Sequence, residues 1–157
     1  MYRELLSELI QEYDGAKLQN PCSEKELAKA EKIVGYPFPD ELKALLRETD
    51  GDRWFLLSVK EIMERVELNR SILSEDFEPE EYLEKVDRYI FFATNGCGDY
   101  YCYRVLENGE VDSSGIYLWD HEEFESRYVA KDIKDAIIKY YHDVMYRGWN
   151  TPKNITS

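Results

Sequence analysis

Residues 89–104 read YIFFATNGCGDYYCYR, and the fold turns on this stretch. Tyr89 to Thr94 is a short apolar run rich in aromatic and β-branched residues, which predicts a buried strand. Asn95-Gly96-Cys97-Gly98-Asp99 holds two glycines that tolerate positive φ, so it predicts a tight turn. Tyr100 to Leu106 then predicts a second strand folding back on the first. Strand alternation sends Tyr101 and Tyr103 to one face and Tyr100 and Cys102 to the other. One face must pack beneath helices. The other is either a wet contact face or a layer of tyrosines with their hydroxyls in water. The glycine-bearing turn lacks the GxGxxG or Walker pattern of a phosphate loop, and it precedes a strand and not a helix. Cys97 has no base marked for it by any sequence feature, so a nucleophilic role finds no support.

Towards the C-terminus, Asn108-Gly109 is a type I′ hairpin signal, followed by a short strand around Val111. Gly115 to Trp119 predicts the next strand, closed by Asp120-His121-Glu122-Glu123. A final helix from about Asp132 to Tyr146 places Ile133, Ala136, Ile137, Tyr140, Tyr141 and Val144 on one face. Towards the N-terminus, Leu5, Leu6, Leu9, Ile10 and Tyr13 mark a helix that Asp14-Gly15 stops. Ser23 with Glu26, and Ser58 with Glu61, are capping boxes opening two further helices. Gly35 is the expected left-handed end of the first of these. Between them, Tyr36-Pro37-Phe38-Pro39 cannot be helical. Leu42, Leu45 and Leu46 lie on a helix expected to reach Asp50-Gly51, and Trp54 to Leu57 reads as a short apolar strand. Glu75 to Glu81 reads as an acidic loop leading to a short helix around Tyr82 to Val86. The pattern predicts an α+β fold: a mostly antiparallel sheet flanked by N-terminal helices and a closing C-terminal helix. One domain is expected over residues 1–148, with 149–157 a frayed tail.

A length of 157 residues suits one domain, and 43% apolar with 14% aromatic residues supplies its core without disulfide or metal. Thirty-three Asp and Glu against twenty Lys and Arg leave a charge of −13. That surface repels phosphate backbones and anionic lipid, so direct nucleic-acid and membrane binding are not expected. It either attracts a basic protein or serves only solubility. Three cysteines without zinc-ligand spacing predict reduced thiols in the cytoplasm, and no apolar run is long enough to cross a bilayer.

Asp120, His121, Glu122 and Glu123 are the residues best suited to chemistry. On an extended strand, Asp120 with Glu122, or His121 with Glu123, would share a side and could meet a cation or serve acid–base work. The competing reading makes Asp120 a cap and His121 a structural hydrogen-bonding residue or a partner contact. No second ligand motif accompanies them, and neither metal nor cofactor is expected. His142 falls mid-helix beside two tyrosines.

The order of SEKELAKAEKIVG, PFPDEL, TDGD, FLLSVKEI, FFATNGCGDYYCY and WDHE resembles the SUKH superfamily, the Smi/Knr type named partly after fungal cell-wall synthesis regulators. The resemblance spans roughly Cys22 to Tyr141. It implies an α+β fold without an agreed catalytic set, hence a non-enzymatic binding domain. For bacterial members it implies an immunity protein that neutralises a polymorphic or contact-dependent toxin, often a nuclease. The alternative is a regulatory interaction scaffold, and a metal-dependent hydrolase using Asp120, His121 and Glu122 ranks behind both. The expected partner is a cognate toxin or other basic protein, met by a monomer or weak dimer. Its expected contact surface comprises Asp99, Tyr100, Tyr101, Tyr103, Trp119, Asp120, His121 and Glu122.

Overall fold

The N-terminal helices begin where their caps are written. A computed structural model describes residues 1–74, 88–122 and 125–142; the expectations for 75–87, for Glu123 and for everything from 143 onwards lie outside them. Helix α1 (Tyr2–Leu9) runs on into a 3-10 turn, Ile10–Glu12. Helix α2 (Glu24–Val34) opens with a complete capping box, Glu26 N–H donating to Ser23 Oγ and Ser23 N–H to Glu26 Oε1, both at 3.1 Å. Gly35 ends it at φ 93°. Helix α4 (Val59–Ser74) has the same reciprocal pair between Ser58 and Glu61.

Helix α3 (Asp40–Leu46) stops four residues short of Asp50. The chain beyond it is recruited elsewhere: Asp50 N–H donates to the Asn20 carbonyl, and the buried Thr49 hydroxyl takes Gln19 N–H and donates to the Gly51 carbonyl. A helical continuation would break all three bonds. At Gly51, φ 85°, a Cβ would fall 2.8 Å from the Ser58 nitrogen, so only glycine fits this corner.

The sheet is a four-stranded antiparallel meander in the order β1 (Tyr89–Thr94), β2 (Tyr100–Arg104), β3 (Ile116–Asp120), β4 (Glu125–Ala130). The Trp54–Leu57 run extends it only by a bridge. Leu57 N–H donates to the Phe92 carbonyl and Thr94 N–H to the Phe55 carbonyl, with Leu56 opposite Ala93. The β2–β3 connection is not a type I′ turn. Between Leu106 and Glu110 only Gly109 has positive φ; Gly109 N–H bonds the Leu106 carbonyl and Leu106 N–H the Glu110 carbonyl. That is a three-residue loop closed by a glycine bulge. Strand β4 answers to no expectation from the pattern, because as an edge strand it buries only Ala130.

Helix α5 (Ile133–His142) closes the core. Phe55 stacks on Tyr140 at 4.1 Å and meets Tyr101 edge-on at 5.0 Å, joining the corner, the last helix and the sheet's helix-facing side. A β-bulge at Phe92 turns both Phe92 and Ala93 towards this core. Phe91, Cys102, Tyr117 and Trp119 form a second buried cluster on the opposite side.

Candidate functional site

The strand order brings two hairpin turns to one end of the sheet. The β1–β2 turn holds itself together: Gly96 N–H donates to Thr94 Oγ1, Cys97 N–H to Asn95 Oδ1, and Asn95 N–H to the Asp99 carbonyl. Gly96 and Gly98 take φ of 82° and 98°. It is the tight turn the glycines predict.

Because Tyr100 pairs with Trp119, Asp99 is carried next to the start of the β3–β4 turn. Asp99 Oδ1 lies 2.7 Å from His121 Nδ1 and accepts His121 N–H at 3.1 Å. The imidazole stands on Gly98, where a Cβ would come within 3.0 Å of the ring. Asp120 Oδ1 caps the turn by accepting Glu122 N–H at 2.7 Å, and Glu122 Oε1 is 4.0 Å from His121 Nε2. The Asp99 hydrogen bond raises the His121 pKa above its ordinary value, and the nearby charges of Asp99, Glu122 and Asp120 add to this. Beside the pair, a cleft of about 360 Å³ is lined by Asp99, Asp120, Glu125 and Arg127.

Strand β3 ends at Asp120, so strand alternation does not bring Glu122 beside Asp120. The carboxylate that joins the cluster is Asp99, from the other hairpin. Ligand atoms of Asp99, Asp120 and His121 lie within 4.8 Å of one another. Asp99 is already spent on His121 Nδ1, so a cation bridging all three would have to displace that bond. The arrangement is suited to holding cationic groups at the rim: carboxylates on two turns, one protonatable ring between them.

Tyr101 and Tyr103 do not belong to a contact surface. They lie in the helix-facing core at 1% and 3% exposure, and the Tyr103 hydroxyl donates to Glu41 Oε2 at 2.7 Å. Trp119, on the opposite side, is 2% exposed within the second cluster, its ring edge-on to Phe91. That side is therefore not wet: Phe91, Cys102, Tyr117 and Trp119 are all buried there, and the Arg104 guanidinium covers the Tyr117 ring at 4.0 Å. Tyr100 is half-buried beneath Arg65, which lies 4.6 Å over its ring and donates to its hydroxyl. Of the expected surface, Asp99, Asp120, His121 and Glu122 come together at the rim, with Tyr100 beside them.

Trp54 is not among the expected contacts, since it opens a run that reads as a short apolar strand. It is 42% exposed. Its one sequence signal is position, directly after the Gly51-Asp52-Arg53 corner.

A model of the SMI1 / KNR4 family (SUKH-1) matches residues 21–139, nearly the span over which the motifs suggest the resemblance. No curated protein matches the chain. With the helices, the antiparallel meander and the closing helix in the order described, the chain belongs to the SMI1 / KNR4 family (SUKH-1).

Proposed function

We propose that this chain acts by binding a basic protein and performs no chemistry of its own, as an immunity protein that neutralises a toxin. The observation that carries this reading is the rim where Asp99, Asp120 and Glu122 gather around His121 at one end of the sheet. On a chain of net charge −13, that rim offers hydrogen-bond acceptors to lysine and arginine while repelling nucleic acid. A nuclease's basic substrate groove has the complementary charge.

The test is co-expression with the product of a neighbouring toxin gene. The wild-type chain should protect cells and co-purify with the toxin. Glu122→Lys with Glu125→Lys reverses charge at two exposed rim positions, and this variant should fold yet lose protection. Full protection by the folded variant would reject the rim as the contact. A stable complex with a non-toxic protein would instead place the chain with regulatory scaffolds.

A further inference from the structure

The corner that carries Trp54 has features the rim does not explain. Arg53 adopts φ 62°, the only positive φ at a non-glycine among the described residues. Such backbone is unfavourable for a side-chain-bearing residue and persists where its surroundings fix it. Here Asp52 Oδ1 fixes it, accepting the amides of Trp54, Phe55 and Leu56. The result is an indole turned outward; among the described aromatic residues only Tyr128 is more exposed.

The indole is nonetheless held in place. It lies over Gly15, where a Cβ would come within 2.5 Å of the ring, and 6.1 Å from the Tyr13 ring. Tyr13 is tied by its hydroxyl to the Tyr141 carbonyl at 2.8 Å. A rigid exposed tryptophan loses little freedom on binding, the property that makes this residue type a frequent interface anchor.

Next to it, Arg53 lines a cavity of about 510 Å³ together with Glu26, Asp50 and Glu61. Glu26 and Glu61 are the return residues of the two capping boxes, so the first turns of α2 and α4 deliver their carboxylates to one space. Among the described residues, none of these three carboxylates is in a salt bridge. Burial raises the Asp50 pKa, and the charges of Glu26 and Glu61 raise it further against the lowering Val59 amide. The corner lies at the same end of the sheet as the rim, because Thr94, which leads into the β1–β2 turn, bonds the Phe55 carbonyl.

We propose that the Arg53–Trp54 corner and the adjoining cavity form a docking surface for a basic protein segment: an arginine or lysine enters between Glu26, Asp50 and Glu61, and a neighbouring side chain lies on Trp54. This rests on the reading of the chain as a binder of basic proteins and names where its anchor sits. The charge that draws such a segment excludes a nucleic acid from the same place.

Hexa-arginine amide, titrated into the full chain at low salt, is the probe, read by the indole resonances of the three tryptophans. The Trp54 resonance should move. Trp54→Ala should weaken binding at least threefold. Glu26→Gln with Glu61→Gln should weaken it at least tenfold, since glutamine keeps both capping boxes while removing two charges. Glu107→Gln with Glu110→Gln, in the exposed β2–β3 turn, removes the same charge and should change binding less than twofold. Equal losses in the two double variants, or an unmoved Trp54 resonance, would overturn the surface. Localised peptide binding by a chain that protects against no toxin would remove the immunity reading and keep this one. Full protection by a Trp54→Ala chain with unlocalised peptide binding would do the reverse.

Discussion

Two aspartates of this chain collect backbone amides and the polar atom of a ring, one inside the molecule and one on its rim. Asp52 is fully buried; Oδ1 accepts three amides and Oδ2 the Tyr141 hydroxyl. Asp99 accepts the amide and the imidazole of His121, whose side chain is 45% exposed. The hydrogen bonding is similar and the surroundings are not. Inside, the donors have no water to fall back on, so the bonds become a condition of folding. On the rim, water replaces any lost partner at little cost, so the same motif remains available to an incoming cation.

The comparison breaks first at Asp52. Asp52→Ala would orphan three amides and a hydroxyl in the interior, at about 1–3 kcal/mol for each orphaned donor but with strong non-additivity at one site. A loss of about 3 kcal/mol or more is expected in urea unfolding. Asp52→Asn keeps an acceptor oxygen for the amides and should lose less. If Asp52→Ala proves as stable as the parent, the corner is not what closes the last helix onto the core.

Tyr141→Phe isolates the link to α5. It removes one hydrogen bond to a buried carboxylate while leaving the ring against Tyr13 and Phe55. A loss of about 1.5–3 kcal/mol is expected by the same measurement, below that of Asp52→Ala. Gly98→Ala should come next, at about 1–2 kcal/mol for a residue with a Cβ in left-handed backbone. Its methyl would also press on the imidazole at 3.0 Å, so the His121 resonances should shift along with the midpoint. A stability loss without that shift would show that the ring does not stand on Gly98.

What the sequence discloses follows the same division between local and long-range order. Ser23 with Glu26 and Ser58 with Glu61 are three-residue patterns, and both helix starts fall where those patterns put them. The β1–β2 hairpin is equally local, and its alternation separates Tyr101 and Tyr103 from Tyr100 and Cys102 correctly. Which side stays open is a tertiary property, and Trp119 and Cys102 show that the side left open in the pattern is filled. Strand β4 escapes because Glu125, Ser126 and Arg127 carry no apolar alternation. The Asp99–His121 pair spans 22 residues and exists only through the pairing of Tyr100 with Trp119. Nothing adjacent to Asp52 in sequence announces that it is the most heavily bonded carboxylate of the interior.

The smallest effect on stability is the most informative about function. Asp99→Asn should change stability by less than about 0.5 kcal/mol, because solvent screens the exposed pair. The His121 pKa should nevertheless fall towards its ordinary value of 6.5, since the Asp99 hydrogen bond is the largest cause of its rise. In the parent chain, a folded pKa above 6.5 means that the pair's contribution is fully present below 6.5 and is lost as pH rises through the folded pKa. Titrating the imidazole resonances of the two histidines in both chains measures this directly. Among the described residues, the charges that raise the His121 pKa are those of Asp99, Glu122 and Asp120, so the protonated ring is a cation resident among them, with Arg127 lining the cleft alongside. A partner's lysine or arginine on the rim would compete with that cation, lower the His121 pKa and release a proton. Rim affinity should therefore rise as pH climbs above 6.5 in the parent and stay flatter in His121→Gln. An affinity that weakens over that range would place the partner's charge elsewhere than on these carboxylates.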